Sequence, residues 1–310
     1  MPKPWVTVLA VVVALGVALG GCAAPATTAP RPDAAGATDG RPHVVTSFTV
    51  LADMVRRVGG DDVVVTSVTR PGSEIHGYEP TPDDLRRAVG ADLLLVNGLG
   101  LEDWVSRLVE PLGLPTVVLT DGIDPVHVPG SDVVNPHAWM SPRAGQHYVR
   151  RIAEELSALD PAGAERYERR AQAYVAELEA VHVELVRRLG ALPPDRRLLV
   201  TCEGAFSYLA RDAGLEEAYL WPVNAERQGT PRQVASVIRS VRERGVPAVF
   251  CESTVPPTAQ QQVAAETGAR FGGVLHVDSL TGPDGPAPTY LDLLRHDVDV
   301  IVAGLTGADR

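Results

Sequence analysis

Short apolar, β-branched runs punctuate the chain at Val44-Val45, Val63-Val64-Val65, Leu93-Leu94-Leu95-Val96 and Val117-Val118-Leu119. Each is too short for a helix and lacks polar alternation, so each predicts a strand covered on both faces. Between them, Leu51 to Val58 and Leu85 to Val89 carry helical patterns. The second half repeats the rhythm at Leu198-Leu199-Val200, Ala218-Tyr219-Leu220, Ala248-Val249-Phe250 and Val274-Leu275-His276-Val277. Strands alternating with helices predict an α/β fold of two lobes, each a mainly parallel sheet flanked by helices. Val45-Thr46-Ser47-Phe48 and Val200-Thr201-Cys202-Glu203, each closing a strand, form a weak echo between the halves.

One long pattern joins the lobes. Asp160-Pro161 predicts a helix start, with Asp as N-cap and Pro in the first turn. Tyr167, Ala171, Tyr174, Leu178, Val181, Leu185 and Leu189 then recur at spacings of three and four. They form one apolar stripe on a helix of roughly thirty residues, or ~45 Å, which Pro193-Pro194 stops. Such a helix is a stiff spine between lobes; a coiled-coil surface is the other reading of the stripe. The expected organisation is an N-terminal lobe over 42–160, a linking spine helix over 161–192 and a C-terminal lobe over 193–310.

The first forty residues read differently. Trp5 to Leu19 is a nearly pure apolar run, shorter than the ~20 residues that span a bilayer, and it follows Lys3, the only lysine. It ends in Leu19-Gly20-Gly21-Cys22, which resembles a bacterial lipobox. Residues 1–21 are thus expected to be a lipoprotein signal peptide and Cys22 the lipidated residue; an ordinary signal peptide with a chance cysteine is the alternative. Residues 22–41, rich in Ala, Thr, Pro and Gly, read as a flexible tether. The mature chain would then sit on the extracytoplasmic face of the cell membrane, held by its lipid anchor.

Composition narrows the function classes. The 310 residues are 45% hydrophobic and 22% charged, a globular balance. A net charge of −11 argues against a nucleic-acid partner, which needs a basic face. Three cysteines exclude a disulfide-dense scaffold and a CxxC zinc module. Cys202 and Cys251 both end strands in the second half, and outside the cytoplasm they could bridge if those strands are neighbours. Buried free thiols are the preferred reading. The chain carries no His-Glu-x-x-His, no Gly-x-Ser-x-Gly and no phosphate loop, so no enzymatic activity is expected.

Ligands in open α/β sheets bind beyond the carboxyl ends of strands. Four metal-type side chains fall there. His76 lies in the turn-rich loop Gly72 to Pro82 after the Val63 run, and His137 lies in Asn135-Pro136-His137-Ala138-Trp139 after the Val117 run. Glu203 and Asp278 follow the Leu198 and Val274 runs. Two come from each half, which puts a site in the cleft between lobes. Two imidazoles and two carboxylates form a mixed nitrogen and oxygen set that suits Mn²⁺ or Fe²⁺, although raw affinity at such sites is generally higher for Zn²⁺. Spacing alone leaves blander readings open: surface histidines, and carboxylates that cap helices.

These segments resemble the metal-binding solute-binding lipoproteins of ABC transporters, the TroA-like fold. The Gly72 to Pro82 loop is similar to that family's first histidine loop, with Glu74-Ile75 where Asp-Pro is commoner. Asn135 to Pro142 resembles its second histidine motif, with Ser141-Pro142 departing from the usual Asp-Pro ending. Glu203-Gly204-Ala205-Phe206-Ser207-Tyr208, Trp221-Pro222-Val223-Asn224 with Gln228-Gly229-Thr230-Pro231, and Gly273 to Leu280 followed by Gly285 to Tyr290 look like the manganese/chelated-iron branch. Zinc-type members often carry a histidine-rich loop between the first two ligands; here Thr120 to Val134 holds only His127. The resemblance runs from about Val44 to the C-terminus. It implies His76, His137, Glu203 and Asp278 as metal ligands, a spine helix that limits hinge motion, and delivery of Mn²⁺ or Fe²⁺ (Zn²⁺ being possible) to an ABC-transporter membrane permease by a monomer.

The alternatives are a zinc-specific receptor of the same fold and a lipoprotein adhesin or scaffold. Around the four ligands, Tyr78 and Trp139 are expected to wall the site. Glu252 could orient a ligand histidine, or make a helix-start or interlobe hydrogen bond. His276, two residues before Asp278, would point to the same face on a strand and could support a ligand or bind the ion itself, though packing beside the cleft is the preferred reading. His43, His147, His182 and His296 are read as surface or packing groups.

Overall fold

The computed structural model describes residues 40–223 and 229–307. The leader of residues 1–21, Cys22 and nearly all of the tether lie outside the described residues, as do Asn224 and Gln228.

The apolar runs of the first half become four short strands: β1 His43–Thr46, β2 Val64–Ser67, β3 Leu93–Val96 and β4 Thr116–Val118. They pair in parallel in the order β2-β1-β3-β4. Helices α1 Thr49–Gly59, α2 Pro82–Ala88 and α3 Asp103–Val109 connect them. The α2 start is written in the sequence: Thr81 and Asp84 form a reciprocal capping box with Pro82 at the first turn. The long helix α4 Pro142–Leu159 follows, its first turn capped by the Ser141 hydroxyl.

The spine is α5 Ala164–Leu189. All seven residues of the predicted stripe are buried, and they pack against α1, α4 and the last helix of the chain. The helix is shorter than its pattern suggested, 26 residues or about 39 Å. Its start differs too. Pro161–Gly163 forms a separate 3-10 turn, and the Asp160 carboxylate accepts from the Tyr167 hydroxyl (2.8 Å) instead of capping α5.

The second half holds β5 Leu198–Glu203, α6 Ser207–Ala213, β6 Glu216–Trp221, α7 Pro231–Arg244, β7 Ala248–Glu252, α8 Thr258–Thr267, β8 Arg270–Leu275 and α9 Tyr290–Thr306. β5 pairs with β6 and β7 with β8, both in parallel. The last strand corrects the sequence reading. It ends at Leu275, so His276 and Val277 lie beyond it, and the hydrophobic signal missed its first half because Gly272 and Gly273 interrupt it. The echo between halves has a physical counterpart. Thr46 and Thr201 each donate their hydroxyl to the carbonyl two residues on, at 3.2 and 2.7 Å, where the chain leaves its strand.

The preferred reading of the cysteines is overturned. β7 lies beside β5, and Cys202 and Cys251 form a disulfide with their Cα atoms 4.8 Å apart. The two strand pairs are thereby stapled at the ends that carry Glu203 and Glu252. The bridge spans 49 residues, which in the chain-entropy account corresponds to about 4 kcal/mol of stability. Replacing both cysteines by alanine is therefore expected to lower the free energy of unfolding by an amount of that order, read from the urea midpoint and slope together.

Candidate functional site: a buried histidine and carboxylate cluster in the cleft

The four ligand candidates converge near the carboxyl ends of strands from both halves of the chain. His76 Nε2 lies 3.0 Å from His137 Nε2 and 3.2 Å from Glu203 Oε1, and His137 Nε2 is 3.4 Å from the same oxygen. Asp278 Oδ1 stands 4.0 Å from His137 Nε2. Side chains of all four are nearly removed from solvent, at 5%, 0%, 2% and 1% exposure in chain order. Bonds of about 2.0–2.2 Å from nitrogen and oxygen donors to one ion place adjacent donor atoms about 3.0–3.5 Å apart. The three shortest separations fall in that range. Asp278 Oδ1 has no hydrogen-bond partner despite its burial, an acceptor that a cation would satisfy.

Local structure holds each side chain. The His76 loop is shaped by Glu74, whose carboxylate accepts from the backbone N–H groups of His76 (2.9 Å) and Gly77 (3.1 Å). Trp104 on α3 donates its indole N–H to the Ile75 carbonyl (3.0 Å), fixing the loop from below. His137 is locked by Asn135, whose Oδ1 accepts from the backbone N–H at 3.0 Å and lies 2.9 Å from Nδ1. That contact makes Nδ1 the protonated nitrogen and turns the bare Nε2 toward the cluster. The Asn135 amide also donates to the Gly204 carbonyl and to Ser207 Oγ, tying His137 to the residues after Glu203. Beneath, Asn97 donates to the Pro136 carbonyl (3.0 Å), and the buried Glu102 carboxylate accepts from Ser47 Oγ and from the N–H groups of Asn97 and Gly98. Thr254 donates to Asp278 Oδ2 (3.3 Å).

The charges complement one another without an ion. Burial pushes the His76 imidazole down, but the Glu203 hydrogen bond and the charges of Asp278, Glu203 and Glu74 outweigh it and raise it to about 9. Burial holds His137 down at about 3, against the pull of Glu203 and with some help from His76. In the metal-free protein His76 is thus the cation, its proton donated to Glu203, and His137 stays neutral. Burial and the charges of Glu203 and Glu74 lift Asp278 to about 7, opposed by His76.

The surrounding residues are placed unevenly. Trp139 is fully buried, its ring 5.1 Å from that of His137, and its indole N–H donates to the Val277 carbonyl (3.0 Å). Its ring thus flanks that of His137. Tyr78, expected to wall the site, does not meet that expectation in its contacts: its ring lies on Trp104 (5.0 Å) and its hydroxyl donates to Asp84 (3.0 Å), so it anchors the loop. Glu252 makes no hydrogen bond to a ligand histidine; its Oε2 accepts from the Glu203 backbone N–H (3.1 Å) and its Oε1 has no hydrogen-bond partner. Burial, then the charge of Glu203, raises its carboxyl well above the usual range. The His276 ring packs against His296 (5.1 Å), and its backbone N–H donates to Asp297 (2.9 Å). With the strand ended at Leu275, the alternation that would have aimed it with Asp278 does not apply.

Sequence reasoning missed Glu74 and Asn135 as parts of the site. Glu74 groups with His76 and Asp278, with one ligand-type atom from each within 4.8 Å of the others. Asn135 had a signal, two residues before a candidate ligand, but an amide is not a ligand type and was passed over. Asn135→Leu is expected to weaken metal binding about 10–100-fold, the usual cost of losing a partner that orients a ligand histidine. Calorimetric titration of the variant checks it.

Comparisons with known proteins agree with this geometry. Residues 44–304 match the family model ZnuA, zinc-uptake complex component A, periplasmic. The chain is 49% identical over 265 residues to the iron-binding protein YfeA of Yersinia pestis, a match covering 84% of this chain and 85% of that protein. It is 34% identical over 264 residues to the manganese-binding lipoprotein MntA of Halalkalibacterium halodurans, covering 85% and 88%. The fold superposes on the Mn-bound periplasmic metal-binding protein of Candidatus Liberibacter asiaticus with a TM-score of 0.81 and 39% identity, over 86% of this chain and 100% of that one. The match over most of the chain and the identity to YfeA together show that this protein belongs to the ZnuA family of periplasmic zinc-uptake complex components.

Proposed function

We propose that the chain is an extracytoplasmic receptor that captures Mn²⁺ or Fe²⁺ and delivers it to an ABC-transporter permease, with His76, His137, Glu203 and Asp278 as the ligands. The observation that carries this reading is the meeting of two imidazole nitrogens and a carboxylate oxygen at 3.0, 3.2 and 3.4 Å in a buried cleft. A second carboxylate with an unsatisfied oxygen stands beside them. Two carboxylates allow coordination numbers from four to six and supply the hard donors that suit Mn²⁺ and Fe²⁺. The names of two relatives, one iron-binding and one manganese-binding, lend support.

The rest of the reading follows from location. Cys22 carries the lipid that anchors the monomer to the membrane, residues 22–41 tether it, and the lobes at 42–160 and 193–310 close on the ion about the 161–192 spine. Capture and release, with no turnover step, is the chemistry. The family model's zinc description keeps Zn²⁺ as the competing cargo. A cell in which this chain is deleted is expected to lose high-affinity Mn²⁺ or Fe²⁺ uptake, measured with radioactive metal. Intact uptake of both ions with lost Zn²⁺ uptake would favour the zinc receptor, and intact uptake of all three with lost surface adhesion would favour the scaffold.

A further inference from the structure

Asp278 reaches the cleft from the end of β8, in the C-terminal half, yet the chain around it is fastened to the N-terminal half. On one side the Trp139 indole holds the Val277 carbonyl at 3.0 Å. On the other, the Ser279 hydroxyl accepts from the Gly72 backbone N–H at 2.7 Å and approaches the Arg70 carbonyl at 3.4 Å. The next N–H, that of Leu280, is accepted by the Thr49 hydroxyl (3.0 Å), which opens α1. The hydroxyls of Ser279 and Thr49 are 3.4 Å apart. Ser279 and Thr49 are 3% and 6% exposed, whereas Gly72 is exposed. Gly72 lies four residues before His76 and Ser279 one after Asp278, so a single hydrogen bond links the chain segments of two ligands from opposite lobes.

We infer that Ser279 is a positioning residue for the cargo ion: its hydroxyl clasps the His76 loop to the Asp278 segment, and this clasp must part before the ion leaves. The inference rests on the cleft being the metal site proposed above. The geometry gives the clasp a specific lever. His137 and Glu203 are held together separately, through the Asn135 amide and the Gly204 carbonyl. Opening on the side of His76 and Asp278 therefore requires the bonds at Ser279 and Thr49 to break, and those groups pass to water as the cleft widens. Removing the Ser279 hydroxyl leaves the Gly72 N–H at an exposed position where water replaces the lost acceptor. The loop then opens more often while the cores of both lobes stay packed.

The test is Mn²⁺ release from the loaded full chain into excess chelator, with amide exchange followed at Gly72. Ser279→Ala is expected to release Mn²⁺ up to about tenfold faster, the weight of one hydrogen bond, and to exchange the Gly72 amide faster by a similar factor. It keeps one ion per chain and a near wild-type melting temperature without metal. Thr49→Val, which removes the acceptor for Leu280 together with the hydroxyl beside that of Ser279, should accelerate release in the same direction, and it carries the test if Ser279→Ala does not fold. Unchanged Mn²⁺ release in folded Ser279→Ala, with or without faster Gly72 exchange, or unchanged release in Thr49→Val where that variant stands alone, would overturn the clasp. A wild-type chain that retains neither Mn²⁺ nor Fe²⁺ would overturn the cleft reading and the clasp with it.

Discussion

Asp278→Asn is expected to make the metal-free protein more stable at pH 8 and to abolish its stabilisation by Mn²⁺. The two effects have one origin. The carboxyl is buried, one of its oxygens lacks a partner, and burial with the neighbouring Glu203 and Glu74 charges lifts it to about 7 from 3.8. Between those values the folded chain holds a proton that the unfolded chain has released, so the stability of the metal-free protein falls as pH rises toward 7. Above 7 the native state carries the whole cost of a buried charge, on the order of 4 kcal/mol. An amide of the same shape removes that cost, and the gain shrinks as pH falls below 7 and the wild-type carboxyl protonates. The same charge is what a divalent cation rewards. An ion that binds only the native state adds about 2.7 kcal/mol at a hundredfold excess over Kd, and the variant should show almost none of it. Urea unfolding at pH 8 with and without Mn²⁺ reads both signs; a variant less stable without metal, or still stabilised by it, would contradict the assignment of Asp278.

Much of this site was legible because its donors follow strands. Short apolar runs located seven of the eight strands closely, and the residues after them are where an α/β sheet places its ligands. The spine was legible because its stripe is continuous and every member is buried. What the sequence hid is what depends on contacts between distant residues. The disulfide needed β5 and β7 to be neighbours, which their own patterns do not encode. The end of β8 was misplaced because two glycines break its signal and the apolar run continues past the strand. Tyr78 reads as a wall of the cleft, whereas Trp104, 26 residues later, takes its ring. Glu74 read as a departure from a motif, and its part in shaping the His76 loop emerges only when its oxygens meet two backbone N–H groups.

Metal affinity is expected to rise steeply with pH, through two protons that the ion must displace. His76, held up at about 9, is protonated throughout the neutral range and must lose its proton to bind. Asp278, at about 7, adds a second proton only in acid. His137, at about 3, is already neutral and adds none. Binding should therefore release about one proton near pH 8 and about two near pH 6, so the association constant falls roughly a thousandfold between them. Calorimetry in buffers of different ionisation enthalpy counts these protons directly. A proton count near zero at pH 8 would mean that His76 is not displaced by the ion. A count that does not grow in acid would remove Asp278 from the set.

The central claim is that one divalent ion sits among His76, His137, Glu203 and Asp278. Anomalous diffraction from crystals of the Mn²⁺-loaded protein tests it most directly. The account predicts a single strong peak in the cleft, within about 2.0–2.4 Å of both Nε2 atoms and of an oxygen from each carboxylate. A peak elsewhere, or one that leaves out the histidines, would contradict it.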